Sequence, residues 1–229
     1  MIANVTKMPY FERTEFMAQK KSHILCLGMA SLWFASCAPN PNDPRLQKTH
    51  AEYVNPHQPG TYEHFVAEKS YPKTYDTWTD TELYQKTDPS NSWLRIELAT
   101  QRGMLMNGDR VVIDYPISSG RESHPTPPGK YKVLEKVVDK SSNKYGRIYC
   151  ADGKVVNSDA NILTDEVPEG GKFVGAPMRY WMRLTWDGVG HHIGPVKRYP
   201  VSHACIRGPH QVMPKVYSKL VVGSKVMVD

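Results

Sequence analysis

Apolar and polar positions alternate along residues 93–99, where Leu94, Ile96 and Leu98 interleave with Arg95 and Glu97. A period of two predicts a strand with one wet face. Further on, Asn107-Gly108 separates apolar runs at residues 104–106 and 111–113, a strong short-range signal for a tight hairpin. Residues 130–138 form another β-rich run, residues 181–186 and 189–193 add two short ones, and residues 221–228 read as a closing strand. Helical spacing is scarce. Trp78, Leu83 and Tyr84 allow one short helix within residues 75–86, which Asp88-Pro89 would stop, and residues 211–219 allow a second. The pattern predicts a mostly β domain with one or two short helices. Residues 141–171 are rich in Ser, Asn, Asp and Gly and read as a long surface excursion. No internal repeat is present.

The beginning of the chain has a different character. Lys20-Lys21 precedes an apolar run over residues 24–34, which fits a secretory signal peptide and is too short to span a membrane. Phe34-Ala35-Ser36-Cys37 resembles a bacterial lipobox, with Phe34 in place of the usual leucine. Residues 1–37 are therefore expected to direct export, with Cys37 as the lipidation site and Met17 as an alternative start. The competing reading is a buried apolar helix with a chance Cys37. Residues 38–72 carry Pro39, Pro41, Pro44, Pro56, Pro59 and Pro72 and few aliphatics, which predicts an extended tether. Tyr53, Tyr62, Phe65 and Tyr71 are its candidates for docking. Residues 73–92 form a short helical lead-in, and residues 93–229 form the main domain. The expectation is a periplasmic, membrane-anchored lipoprotein. Ala38 is not an aspartate, which by the enterobacterial sorting rule favours the outer membrane.

Composition adds little to this outline. The 229 residues are 40% hydrophobic and 23% charged, enough for a good core. The formal charge is +6, spread without a Lys/Arg block, so mild attraction to anionic polymers is expected and no nucleic-acid binding.

The chemistry gathers near the C-terminus, in Val189-Gly190-His191-His192-Ile193-Gly194-Pro195 and Ser202-His203-Ala204-Cys205-Ile206-Arg207. Cysteine is a nucleophile as thiolate, and a nearby imidazole that takes its proton activates it. Inert burial of the cysteine is the bland alternative. A metal site built from His191, His192, His203, Cys205 and His210 is another. Adjacent His191-His192 cannot easily face one ion, and the paired spacings of structural zinc sites are missing, so a thiol nucleophile is favoured. A Cys150–Cys205 disulfide would silence that nucleophile, so Cys205 is expected to be free.

At these residues the chain resembles the YkuD-type L,D-transpeptidases, whose signature runs H-G-x(n)-[ST]-H-G-C-[IVL]-R. The resemblance continues through Gln101-Arg102-Gly103-Met104-Leu105-Met106-Asn107-Gly108-Asp109, Tyr115-Pro116-Ile117-Ser118-Ser119-Gly120, Thr126-Pro127-Pro128-Gly129-Lys130-Tyr131 and Pro177-Met178-Arg179-Tyr180-Trp181-Met182. These motifs stand in the family's order over residues 93–229. The resemblance implies a β-sandwich or open barrel. It also implies Cys205 as nucleophile, His192 as preferred general base and His203 as a second active-site histidine. Backbone N–H groups of Ala204 and Cys205 are candidates for the oxyanion hole. Arg207 suits a stem-peptide carboxylate, with a surface ion pair as its alternative. Ser202 is placed among the substrate-side residues or within the loop, and Tyr180 and Trp181 at the cleft or in the core. The implied substrates are peptidoglycan stem peptides, with release of D-Ala, a thioester intermediate, no metal or organic cofactor, and a monomeric protein. The acceptor is open: a second stem, a protein amine, or water as in an L,D-carboxypeptidase. A non-catalytic peptidoglycan-binding lipoprotein and a zinc-dependent amidase are the alternatives.

Two departures stand out. The family's glycines are replaced by Ala204 before the cysteine and Ile193 after the upstream histidine. If position 204 needs φ > 0, alanine is strained there by roughly 1–2 kcal/mol. Ile193 is β-branched and stiff, so a negative φ and a different turn are expected after His192.

Overall fold

The computed structural model describes residues 42–229. The export segment, the lipobox and Cys37 lie outside the described residues.

The expected tether is not extended over its described part. A 3-10 turn at Pro44–Leu46 is followed by helix α1, Tyr62–Ala67, whose N-cap Thr61 accepts from the His64 N–H. The Tyr62 and Tyr71 hydroxyls donate to Asp114 Oδ2 at 2.9 and 3.2 Å, and the rings of Phe65 and Tyr71 each lie 5.3 Å from the Arg102 guanidinium. Arg102 and Asp114 are themselves a fully buried pair, Nε to Oδ1 at 2.6 Å. Burial pushes the Asp114 carboxyl up, while Arg102 and the two tyrosine hydroxyls pull it back. The aromatic residues dock because they shield this pair from water and supply two of its hydrogen bonds.

Strand β1, Trp78–Thr79, leads into α2, Thr81–Lys86, which Asp80 caps by accepting from the Leu83 N–H at 2.8 Å. The alternating run becomes β2, Ser92–Glu97, with Leu94 and Ile96 fully buried. Each stabilises the fold by about 1.5–3 kcal/mol relative to an exposed position. The hairpin forms as its Asn-Gly turn predicts, with β3, Arg102–Asn107, and β4, Arg110–Pro116, and Gly108 at φ 55. Then come β5, Gly129–Lys132, and β6, Glu135–Val137. After the excursion follow β10, Trp181–Arg183, β11, Gly190–Ile193, β12, Ile206–Gly208, helix α3, Met213–Lys219, and β13, Lys225–Val228.

Two sheets enclose the core. One has the order β1-β4-β3-β2-β13-β5 and the other β12-β11-β10-β6. The first supplies Leu94, Ile96, Leu105, Ile113 and Tyr115 to the core, the second Met182 and Ile206, and α3 adds Met213 and Val216. This is the mostly β sandwich expected.

The excursion differs from the loop expected. It is a third sheet, β8-β7-β9, made of β7, Ser141–Tyr149, β8, Val155–Asn161, and β9, Lys172–Pro177. One face is partly covered, at Gly146, Ile148, Ala160, Phe173 and Gly175, but Val155, Val156 and Val174 are exposed, so no hydrophobic alternation marks the strands.

Candidate active site

The site is built on the outer face of the four-stranded sheet. Met182, His191 and Ile206 turn to the core side, and successive strand residues point to opposite faces. Trp181, Arg183, Gly190, His192, Cys205 and Arg207 therefore share the other face. The register pairs Arg183 with Gly190 and His192 with Arg207. Continuing the parallel offset by one residue brings Cys205 beside Gly190, whose N–H reaches the thiol. Gly190 has to be small, since a Cβ there would lie 2.4 Å from the Trp181 ring.

The loop carrying Cys205 is clamped by two of the sequence motifs. Ser118 and Arg207 exchange backbone hydrogen bonds at 3.0 and 2.8 Å, and Gly120 bridges to Ser202. The Thr126 hydroxyl donates to Ala204 O at 2.8 Å and accepts from the Gly120 N–H at 2.8 Å. Ser202 is fully buried and its hydroxyl donates to Cys205 O, so it organises the loop and does not face a ligand. Ala204 adopts φ 70, the left-handed conformation in which alanine is strained. The N–H groups of Ala204 and Cys205 make no hydrogen bond among the described residues.

Cys205 opens on a cavity of about 640 Å³, lined also by His203, Ala204 and Trp181 and by Tyr145 of the third sheet. Ser142 and Lys144 stand beside Tyr145 in that lining, so the third sheet forms one wall of the cavity. Burial pushes the Cys205 thiol up, opposed by the Gly190 N–H and the charges of Arg207 and Arg183. The thiol therefore rests protonated at neutral pH, with Sγ 3.5 Å from Gly188 O. Cys150 is also a free thiol and sits in the turn after β7.

The histidines divide by face. His191 lies inside: Nδ1 is 2.9 Å from Ile206 O and Nε2 2.9 Å from the Tyr115 hydroxyl. His192 is on the cysteine's face, tilted against Trp181 with centroids 5.9 Å apart. Burial pushes its imidazole down to about 3, so it is neutral. Its Nδ1 stands 2.7 Å from Ile193 O and must donate, which leaves Nε2 as the acceptor. Among the described residues no imidazole hydrogen-bonds to the Cys205 thiol. Ile193 lies in β11 and its φ is not positive, as its β-branching requires.

His203 is held differently. It stacks on Tyr145 with centroids 4.0 Å apart and meets His124 edge-on at 4.8 Å. Its Nε2 accepts from Arg121, so Nδ1 carries the proton and faces Asp159 Oδ1 at 3.8 Å. Burial lowers its pKa. Arg207 is half-buried opposite His192, outside the cavity lining, and its guanidinium makes no hydrogen bond among the described residues. Tyr180, at φ 55, packs edge-on against Tyr217 of α3 at 5.3 Å and stands away from the cavity. Sequence reasoning missed Arg121, His124, Tyr145, Arg183 and Trp186. Arg121 meets His203 across 82 residues of chain, and no spacing rule joins residues so far apart.

Solved structures that the chain resembles include an L,D-transpeptidase from Mycobacterium smegmatis, at 23% identity and a TM-score of 0.46, covering 61% of this chain and 58% of that one. Another is an L,D-transpeptidase from Enterococcus faecium, at 22% identity and a TM-score of 0.43, covering 62% and 50%. A third, from Xylanimonas cellulosilytica, shares 18% identity with a TM-score of 0.46 and covers 62% of each chain. The chain spans about half to three fifths of the length of these proteins. No curated protein sequence matches it. The L,D-transpeptidase catalytic domain, YkuD, matches residues 91–228, which begin just before β2 and end with β13. With more than half of its residues inside that match, and with the cysteine loop, both clamping motifs and the closing strand all within it, this chain belongs to the YkuD family of L,D-transpeptidase catalytic domains.

Proposed function

We propose that the protein is a peptidoglycan L,D-transpeptidase that works by cysteine acyl transfer. The observation that carries this is the setting of Cys205: a thiol at a cavity wall, with the Gly190 N–H at its sulfur and neutral His192 on the same sheet face. The donor is a tetrapeptide stem. Cys205 Sγ attacks the carbonyl of its diaminopimelate L-centre while His192 Nε2 takes the thiol proton. The oxyanion meets the unpaired N–H groups of Ala204 and Cys205; a single such donor is worth ~3 kcal/mol. Collapse breaks the C–N bond, His192 returns the proton to the leaving amine, and D-Ala departs from a thioester. A second stem's amine then attacks the thioester, giving a 3→3 crosslink and restoring the thiol. A protein amine gives an attached protein, and water gives a tripeptide.

His192 is the base because its Nε2 is free to accept, whereas His203 Nε2 is already occupied by Arg121. His203 orients the loop and lines the cavity. Arg207 holds its charge near the thiolate. We assign the protein to the cell envelope, anchored through Cys37, on the export and lipobox pattern of residues 20–37.

A binding-only reading draws on one observation, that the thiol rests protonated with no imidazole bonded to it. Intact mass after incubation with a carbapenem, and separately with tetrapeptide stem, separates the two. A stoichiometric adduct with D-Ala release, both absent in Cys205→Ala, is the outcome expected of the enzyme. A folded protein with a titratable Cys205 that gives neither product is a binder.

A further inference from the structure

Arg183 stands in the same row of the sheet as the cysteine. It pairs with Gly190 on one side and with Glu135 on the other, and Cys205 lies just beyond Gly190. Two strand spacings put its Cα about 10 Å from that of Cys205. One arginine side chain and one peptide residue together span that gap.

This guanidinium forms one long ion pair, with Glu135, and has two aromatic neighbours besides. It lies over two indoles, 5.5 Å from the Trp181 ring centroid and 5.4 Å from that of Trp186. Its one hydrogen bond among the described residues runs from Nη2 to Glu135 Oε1 at 3.4 Å, and the same oxygen accepts from Trp181 Nε1 at 3.1 Å. Nε is enclosed without a partner. A guanidinium offers five N–H donors, and the long contact to Glu135 uses one of Arg183's among the described residues, which leaves donors for a second carboxylate. Trp186 is 74% exposed at the cavity wall, and its visible role is to cover Arg183. Cation–π contact with two rings helps hold the fork in place, and its free N–H groups suit a carboxylate. Arg183 lines the cavity, whereas Arg207 and His192, on the same sheet face, are not among its lining residues.

We propose that Arg183 is a carboxylate-binding residue of the cavity, held against Trp181 and Trp186 to take the terminal carboxylate of a peptide whose scissile carbonyl lies at Cys205. The choice of peptide rests on the acyl-transfer reading, but the binding itself needs no turnover.

The test is calorimetric titration of the purified full-length Cys205→Ala protein with a tetrapeptide stem ending in a free carboxylate, and with the same stem ending in an amide. The acid is expected to bind about 10- to 100-fold more tightly than the amide, the range for a hydrogen bond to a charged group. Adding Arg183→Met should lower acid affinity to that of the amide and leave the amide unchanged, while Arg183→Lys keeps part of the preference. Trp186→Ala, a substitution at an exposed position, should reduce the preference several-fold even if Arg183→Met fails to fold. Equal binding of acid and amide by the parent overturns the proposal. So does an equal loss of both in Arg183→Met, or an unaltered preference in Trp186→Ala. If wild-type protein releases no D-Ala yet the preference depends on Arg183, the transferase reading falls and the carboxylate subsite stands.

Discussion

Replacing Ala204 by glycine tests whether the cysteine loop stores backbone strain. Ala204 sits at φ 70, where an L-residue's Cβ crowds the carbonyl and costs roughly 1–2 kcal/mol. The conformation persists because three contacts over-determine it: Thr126 to Ala204 O, Ser202 to Cys205 O, and the close approach of Gly120. Glycine removes the crowding and leaves all three in place. It also loosens the unfolded chain, which takes back about 0.4–1 kcal/mol. The net expectation for Ala204→Gly is a gain of about 0.5–1 kcal/mol. For a chain of this size that raises Tm by about 1–4 °C. Urea unfolding followed by tryptophan fluorescence should show a higher midpoint at an unchanged slope. The rate of Cys205 alkylation by iodoacetamide should hold within about twofold, because glycine can keep the same φ and hence the same direction for the N–H groups of positions 204 and 205. A lower midpoint would refute the reasoning, since it would mean that the methyl group's packing outweighs its strain.

Three further outcomes follow from the buried polar groups and the crowded sheet. Burial pushes His191 down to about 4 and His192 to about 3, from an ordinary 6.5. Their contribution to stability is therefore present above pH 6.5 and lost as pH falls from there through 4 to 3; urea unfolding at pH 7.5 and 4.5 should differ by several kcal/mol, and equal values would contradict neutral burial. Asp114→Asn leaves Arg102 buried without its counter-charge and weakens the anchor of Tyr62 and Tyr71, so a loss of about 3–5 kcal/mol and faster proteolysis within residues 42–79 are expected. Gly190→Ala drives a methyl against the Trp181 ring, costing about 1–3 kcal/mol. It should also slow adduct formation at Cys205, because Trp181 lines the same cavity; normal adduct kinetics with normal stability would show that the ring simply moves aside.

Local signals identified much of this protein. The alternation around Leu94 and Ile96, the Asn107-Gly108 turn and the Asp88-Pro89 stop each act through neighbours a few residues away, and each became the element it predicts. The order of motifs ending at Ser202-His203-Ala204-Cys205 named the family from residues alone, and the family match covers the same region. The third sheet stayed hidden because its covered face is built largely from Gly146, Ala160 and Gly175 while Val155, Val156 and Val174 are exposed, which leaves no hydrophobic period to read. Tyr62, Phe65 and Tyr71 were legible as docking residues, but what they dock on was hidden, because it is the Arg102–Asp114 pair on strands far along the chain. His191 and His192 are adjacent and chemically identical in sequence. Strand pairing alone turns the first to Tyr115 in the core and the second to the face of Cys205. The same pairing brings Arg183 into line with Gly190 and the cysteine while placing Arg207 outside the cavity. Propensity and turn chemistry act over a few residues, whereas a catalytic face is decided by register between distant strands, where a slip of one residue would exchange every side chain between core and cavity.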